Sequence, residues 1–202
     1  MSLKDIKRKF LVTTATRLFL ERGIEAVTIE DIANAADVGE MTVYRYFGKK
    51  QNIVYEAVLN LQQSVLLDFF KLNKGGTGFE KLSIFYYSYL EVFESRPEYF
   101  RFIREFDLEM MKDENKNLKE YEDGLAYFKN AYFTAYELGL KDKSVRAVSD
   151  LELFYFTSTH ALIELCKKLS YEQSVLPQDE KVCKKDEIDC LIKTILSVFK
   201  NS

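Results

Sequence analysis

The chain has 202 residues, of which 47% are hydrophobic, and its formal net charge is −3. This apolar content is enough for a sizeable buried core and excludes a disordered chain. No stretch approaches the roughly 20 apolar residues of a membrane span, and the first ten residues lack the apolar centre of a secretion signal, so we expect a cytoplasmic protein.

The first predicted helix extends from about Lys4 to Arg22 and ends at Gly23. Residues 1–50 contain nine Lys or Arg against seven Asp or Glu, whereas residues 51–202 contain twenty against twenty-five. The basic residues at the start of this helix are Lys4, Lys7, Arg8 and Lys9. Because nucleic-acid binding needs a local basic face and not a basic protein, the acidic total does not exclude a DNA-binding protein.

Residues 28–50 predict two short helices joined by a tight turn. Thr28 can cap the first helix, and Asp31 completes a variant of the capping box. The first helix has an apolar stripe at a period of 3.6 residues: Ile29, Ile32, Ala33 and Ala36. Val43 and Phe47 are four residues apart and point the second helix towards the first. This pattern favours a helix-turn-helix that lays its second helix in the major groove of DNA, with an ordinary helical hairpin as the alternative.

Nine residues of this motif are candidates for contacting DNA. Thr, Tyr, Arg and Lys side chains commonly donate to phosphate oxygens. The candidates are Thr28, Gly39, Glu40, Met41, Thr42, Tyr44, Arg45, Tyr46 and Lys50. Two interpretations of Glu40 stay open, because it can accept a hydrogen bond from cytosine N4 or interact with the positive end of its own helix.

The motif resembles the DNA-binding domain of the TetR family of bacterial repressors over about residues 8–58. The matching residues are Ala15, Leu18, Phe19, Gly23, Thr28, Ile32, Ala33, Val38, the run Thr42-Val43-Tyr44-Arg45-Tyr46-Phe47, and Lys50. The resemblance implies an all-α fold. It also implies a three-helix helix-turn-helix DNA-binding domain over residues 1–50 and a helical ligand-binding and dimerisation domain over residues 51–202.

Three positions depart from the family pattern. Asp37 stands where Gly is usual, and Asp tolerates the left-handed backbone of the turn. Gly39 replaces a capping Ser, at a cost of a few tenths of a kcal/mol. Glu40 places an acid near the phosphates, where a basic or small residue is more usual. Together with the modest basic excess, Glu40 keeps open a TetR-like interaction module with weak or no DNA binding.

The rest of the chain predicts further helices. Their approximate ranges are 49–72, 79–94, 97–111, 117–138, 144–169 and 186–200, with a polar connection over 172–186. The next-to-last helix is apolar on two sides. One side carries Leu151, Phe154, Tyr155, Leu162, Leu165 and Leu169 around Ser158, and the other carries Leu153, Phe156, His160 and Ile163. The last helix repeats Ile188, Leu191, Ile192, Ile195 and Phe199. A helix apolar on two sides needs a partner, so we expect a homodimer held by an intersubunit four-helix bundle, as the resemblance also implies.

Residues 79–136 are rich in aromatic side chains, and the resemblance implies a small-molecule pocket there. Candidates for its lining are Tyr86, Tyr89, Phe93, Phe102, Phe106, Tyr127, Phe128, Tyr132, Phe156 and His160. Aromatic walls with a few hydroxyls suit a small hydrophobic or aromatic effector. A cationic aromatic ligand is an alternative, because acids lie among the rings: Glu91, Glu94, Glu105 and Asp107. For each single ring, a place in the core is the simpler interpretation.

The sequence gives no support for an enzyme. It has one His, three cysteines without CxxC spacing, and no phosphate-binding loop or nucleophile–base motif, so we expect no catalysis, no cofactor and no metal. The prediction is a ligand-responsive transcriptional regulator, a repressor that binds a palindromic operator as a homodimer and is released by its effector. Activation is an open alternative to repression, because the sign of regulation depends on the position of the operator.

Overall fold

The protein is all-α, as predicted. The computed structural model describes residues 2–72, 74, 76–112, 117–171 and 181–200. Nine helices lie in these residues: α1 (Leu3–Arg22), α2 (Ile29–Ala35), α3 (Glu40–Phe47), α4 (Lys50–Phe69), α5 (Gly78–Ser95), α6 (Pro97–Met111), α7 (Lys119–Lys141), α8 (Leu151–Leu169) and α9 (Lys184–Ser197). None of these helices combines the length and the apolar character that a membrane span requires.

Most helices lie within a few residues of their predicted ranges, but the predicted start of α8 at Ser144 is wrong. The helix begins at Leu151, and the side chain of Asp150 caps it by accepting a hydrogen bond from the Leu153 amide at 2.9 Å. Before it, Lys143 has a left-handed backbone with φ 63°, which interrupts a helix. Of the predicted polar connection over 172–186, residues 172–180 lie outside the described part of the chain.

The chain divides into two compact units. The first consists of Met1–Gln62 and Arg101–Tyr121, and the second of Gln63–Phe100 and Glu122–Ser202. The first unit therefore contains the predicted helix-turn-helix together with the C-terminal part of α6. These units are defined by packing alone, so the functional division between residues 50 and 51 stays a prediction.

The core of the first unit is built from one face of each of its helices. Its buried members are Leu11, Val12, Ala15, Leu18 and Phe19 of α1, Ile32 and Ala33 of α2, Val43 and Phe47 of α3, Ile53, Val54, Ala57 and Val58 of α4, and Phe102, Ile103 and Phe106 of α6. The rings of Phe19 and Phe102 lie with their centroids 6.3 Å apart. The apolar stripe predicted for α2 and α3 is the stripe that faces this core.

The core of the second unit is dominated by aromatic rings. Phe85 of α5 lies at its centre, in edge-on contact with Phe70 at 5.7 Å and with Tyr132 at 5.1 Å between ring centroids. Aliphatic residues of α8 and α9 complete it: Leu162, Leu169, Ile188, Ile192, Ile195 and Leu196. Edge-on pairs of this kind add to the free energy of burying the rings, because the positive ring edge meets the negative face.

Candidate nucleic-acid interface

The start of α2 is fixed by the predicted capping box. Thr28 Oγ1 accepts a hydrogen bond from the Asp31 amide at 3.1 Å, and Asp31 Oδ2 accepts one from the Thr28 amide at 2.8 Å. Arg22 Nη1 also donates to Asp31 Oδ1 at 3.0 Å. The hydrogen bonds from Thr28, followed by that from Arg22, lower the pKa of Asp31 from 3.8 to about 2. The predicted role of Thr28 as a cap is confirmed.

The turn between α2 and α3 has the predicted geometry. Asp37 has φ 52°, in the left-handed region that Asp tolerates better than most residues. The amide of Val38 donates to the carbonyl oxygen of Ala33 at 3.0 Å, which closes the end of α2. Gly39 is the N-cap of α3 and, as a glycine, provides no side-chain cap. The first turn of α3 therefore has no side-chain cap at the end that enters the groove in a helix-turn-helix.

Helix α3 has one buried face and one exposed face. Val43 and Phe47 are buried, as predicted. On the opposite side the side chains of Met41 and Tyr44 are 78% and 43% exposed. The exposed candidates are Thr28, Gly39, Glu40, Met41, Tyr44 and Arg45, while Thr42, Tyr46 and Lys50 are partly buried. Most of the predicted contact residues thus share one solvent-facing surface, which we call the α3 face (Gly39, Glu40, Met41, Tyr44 and Arg45).

Lys50 is less exposed than we expect for a residue that contacts a DNA phosphate. Its Nζ is 3.4 Å from the carbonyl oxygen of Glu25, within the loop that precedes α2. Burial lowers the pKa of this ammonium group, and Glu109 and Glu25 oppose the shift. A contact between Lys50 and a phosphate therefore stays a prediction, and it requires the side chain to turn from this carbonyl towards solvent.

The C-terminal end of α3 is held by two side chains that the sequence did not reveal. Arg8 of α1 donates from Nη1 to the carbonyl oxygen of Tyr46 at 2.6 Å and forms a bidentate ion pair with Glu56 of α4. Asn52 Nδ2 donates to the carbonyl oxygen of Phe47, also at 2.6 Å. The contacts of Arg8 join residues 48 and 38 positions apart, so no local sequence pattern predicts them.

Glu105, an acid considered for a cationic ligand, has a different partner. Its Oε2 accepts a hydrogen bond from the Ile24 amide, in the loop after α1. Nearby, Gln51 Nε2 donates to Glu109 Oε1 at 2.8 Å, which joins α4 to the same side of α6. Of the other acids considered, Glu91 and Glu94 are exposed, and Glu94 forms an ion pair with a lysine of α9.

The predicted ligand-binding residues fall into three different surroundings. Phe102 and Phe106 are buried in the first unit, where Phe106 lies 5.1 Å from the Tyr121 ring. Tyr86, Tyr89, Phe93, Phe128 and Tyr132 belong to the aromatic core of the second unit. Tyr127, Phe156 and His160 are exposed, with Tyr127 58% exposed. One pocket lined by all ten stays a prediction, and the second unit holds the largest buried group.

That buried group contains a chain of hydroxyls. Tyr86 Oη donates to Tyr132 Oη at 3.1 Å and is 2.7 Å from Ser158 Oγ. Burial raises the pKa of Tyr86 to about 12 and that of Tyr132 further, so both phenols are neutral throughout the physiological range. In this cluster of α5, α7 and α8 the hydroxyls are buried and already bonded to one another, so a ligand there would have to replace these hydrogen bonds.

Comparison with known proteins agrees with the geometry of the first unit. Residues 11–57 match the family model of bacterial regulatory proteins, tetR family. The transcriptional regulator HbdR of Aromatoleum sp. (strain CIB) is 36% identical over 59 residues, which are 29% of this chain and 26% of that protein. The transcriptional repressor KstR2 of Rhodococcus jostii (strain RHA1) is 40% identical over 53 residues, 26% of each chain. The matched segment thus spans about a quarter of the length of these relatives.

Solved structures share the fold along nearly the whole chain. The ketosteroid transcriptional regulator KstR2 of Mycobacterium tuberculosis has a TM-score of 0.63 at 16% identity, over 96% of this chain and 95% of that one. A TetR family transcription regulator from Marinobacter aquaeolei VT8 has a TM-score of 0.61 at 18% identity, over 98% and 97%. Residues 11–57 therefore match the regulatory domain of the tetR family, and the chain as a whole shares its all-α fold with solved regulators of that family.

Proposed function

We propose that the protein is a DNA-binding transcriptional repressor that recognises a palindromic operator as a homodimer and is released by a small effector. The observation that carries this proposal is the α3 face. Its side chains point to solvent from a helix whose opposite side is anchored in the core by Val43 and Phe47. A rigid helix with an exposed face is what a major groove admits. Since an operator belongs to the genome, the proposed location is the cytoplasm.

The proposed dimer rests on α8. One side of this helix packs into the second unit through Tyr155, Leu162 and other buried residues. On its other side, Leu153 is 63% exposed and Phe156 is 40% exposed, with exposed His160 one turn further. A second copy related by a two-fold axis would cover this apolar face, and two protomers would present two copies of α3 to two half-sites.

The proposed effector is small, uncharged and aromatic or hydrophobic. It is supported by the neutral hydroxyls of Tyr86, Tyr132 and Ser158 among the rings of the second unit. Such an effector changes DNA affinity only if it binds one state of the dimer more tightly than the other. We expect uncharged aromatic compounds to raise the unfolding temperature of the dimer. At the same concentrations they should abolish operator binding.

The experiment that tests DNA recognition is selection of bound duplexes from a random pool by the purified protein at a stated salt concentration. The proposal predicts enrichment of a palindrome. A folded dimer that enriches no sequence would instead support the alternative, a TetR-like interaction module with weak or no DNA binding.

The same selection separates the two interpretations of Glu40. If the Glu40 carboxylate accepts from cytosine N4, Glu40→Gln changes the preferred base at one position of each half-site. If the carboxylate only interacts with its own helix, the variant keeps the preference and binds all duplexes more tightly, because one repulsive charge near the phosphates is gone. Tyr44→Phe is the matched control, since removing a hydroxyl that donates to a phosphate weakens binding without changing base preference.

A further inference from the structure

Arg8 is tied to other helices more closely than an exposed DNA-contacting arginine needs to be. From α1, its Nε donates to Glu56 Oε2 at 3.0 Å and its Nη2 donates to Glu56 Oε1, so the ion pair with α4 is bidentate. Its Nη1 donates to the carbonyl oxygen of Tyr46 at 2.6 Å, and its guanidinium carbon lies 4.7 Å from the centroid of the Phe47 ring. One side chain thus connects three helices.

The carbonyl oxygen that Arg8 binds is one that α3 cannot satisfy by itself. The last four carbonyls of an α-helix have no intrahelical partner, and Tyr46 and Phe47 are the last two residues of α3. Arg8 satisfies the first of them and Asn52 the second. A positive charge at a helix C-terminus is also favourable, because the helix dipole places partial negative charge there.

The two ends of α3 are therefore held differently. The C-terminal end is tied to α1 and α4 by side chains, whereas the N-terminal end has Gly39 as a cap without a side chain. The position of the α3 face depends on where the C-terminal end is fixed, since the N-terminal turn carries Glu40 and Met41 towards solvent. Because α3 has only eight residues, a shift of its C-terminal end displaces all of its exposed side chains.

We propose that Arg8 is a positioning residue that fixes the recognition helix, and that it is not a phosphate ligand although it lies in the basic run Lys7–Lys9. Glu56 already neutralises and orients the guanidinium, so a phosphate would have to displace a bidentate carboxylate. The inference rests on the proposed function, because it concerns how α3 is presented to DNA.

The first test measures affinity for the enriched duplex and for a random duplex over a range of salt concentrations. If Arg8 positions α3, Arg8→Ala and Glu56→Gln each lower affinity for the enriched duplex by at least about fivefold, the loss caused by one mismatched base pair. Affinity for random DNA and the salt slope stay unchanged. Arg8→Lys keeps the charge but cannot reproduce the bidentate geometry, so it does not restore affinity.

The opposite pattern would overturn the proposal. A phosphate-binding Arg8 predicts that Arg8→Ala lowers the salt slope by about 0.9 for each phosphate that the arginine neutralises and weakens both duplexes alike. Arg8→Lys would then retain most of the affinity, and Glu56→Gln would strengthen binding by releasing the arginine. Arg17→Ala is the matched control, because Arg17 lies on the same helix and its exposed ion pair is with Glu21 of that helix. It should behave like the unaltered protein.

A second measurement does not depend on DNA. Amide hydrogen exchange of the free protein should show faster exchange at Gly48, whose amide donates to the carbonyl oxygen of Tyr44, in Arg8→Ala and Glu56→Gln than in Arg17→Ala. Equal exchange rates at Gly48 in all three variants would refute the proposal that Arg8 holds the C-terminal end of α3. If the unaltered protein enriches no duplex, the proposed function fails, while the exchange result still decides whether Arg8 holds α3. Glu56→Gln, which weakens the ion pair but keeps the arginine, serves as the test where Arg8→Ala does not fold.

Discussion

The first residue of α5, the last turn of α7 and the loop after α7 pack closely around two glycines that leave no room for a methyl group. A Cβ at Gly78 would lie 2.0 Å from the amide nitrogen of Gly139 and 2.5 Å from the carbonyl oxygen of Ala135. A Cβ at Gly139 would lie 2.3 Å from Cγ2 of Val145. Ordinary contacts begin at 3.4 Å, so either substitution forces the helices or the side chain to move.

The expected cost differs between the two positions because the obstacles differ. At Gly78 the obstacle is backbone, and moving α5 away also strains the hydrogen bonds of the Gly78 amide to Asp142 (2.8 Å) and of the Phe79 amide to Ser144 (3.0 Å). Overpacking costs about 1–3 kcal/mol and each strained hydrogen bond about 1 kcal/mol, so we expect Gly78→Ala to lower the free energy of unfolding by about 3–5 kcal/mol. Gly139→Ala should cost about 1–3 kcal/mol.

Urea unfolding at fixed protomer concentration, followed by circular dichroism, measures both values. Val145→Ala removes the nearer obstructing atom, Cγ2 at 2.3 Å, but keeps Cβ at 2.7 Å, so the double variant should lose only somewhat less stability than the sum of the single variants. Val145→Ala should not reduce the loss of stability that Gly78→Ala causes. Gly39→Ala is a control for steric overlap alone, because no atom lies within 4 Å of its added methyl group while Ala is a poorer N-cap than Gly. If the free energy of unfolding of Gly78→Ala lies within about 0.5 kcal/mol of that of the original protein, the close contact of Gly78 with α7 is refuted, since surface substitutions have effects of that size.

Three further predictions concern the cap of α2, the phosphate contacts and the dimer. The pKa of Asp31 is lowered to about 2, so the stabilisation by its carboxylate is complete above the ordinary pKa of 3.8 and is lost as the pH falls through 2. Asp31→Asn should therefore make stability depend less on pH between these two values. An unchanged acid-unfolding curve would contradict a stabilising role of the Asp31 carboxylate. Lys50→Ala should weaken binding to all duplexes alike and lower the salt slope by about 0.9 for each phosphate that the lysine neutralises; weaker binding to one sequence alone would argue against a phosphate contact. Leu153→Asp should dissociate the dimer in sedimentation velocity, whereas Leu140→Asp, at an exposed leucine of α7, should leave it intact.

The helix-turn-helix was predictable because its determinants are local. The cap joins Thr28 and Asp31, three residues apart, and the turn depends on the backbone preference of Asp37 alone. The apolar period of α2 and α3 gave the buried face, and the exposed face followed from it. Such patterns depend only on residues that are close in sequence, so they can be recognised without knowing how the rest of the chain packs.

The start of α8 was mispredicted because apolar residues before it imitate a helical period. Val145 is buried against Gly139, and the amide of Val148 donates to Tyr136 Oη at 2.9 Å, so both belong to a loop packed on α7. Asp150 was an available signal, since Asp directly before an apolar helix favours an N-cap.

The candidate site could be predicted only in part. The sequence identified the side chains of α3, but not the contacts of Arg8 with Glu56 and Tyr46, which lie 48 and 38 residues away. It also grouped Phe102 and Phe106 with the rings of the second unit, because burial in either core requires the same residue types. Assignment of a ring to one core or the other depends on tertiary packing, which composition does not encode.

The measurement that tests the central claim most directly is a protection footprint of the purified protein on an enriched duplex, combined with the stoichiometry of the complex. A homodimeric repressor predicts two protected segments, centred one helical turn or a multiple of it apart, or about 10 base pairs per turn, with two protomers bound per duplex. Protection of a single segment by one protomer, or no protection at concentrations where the protein is folded, would contradict it.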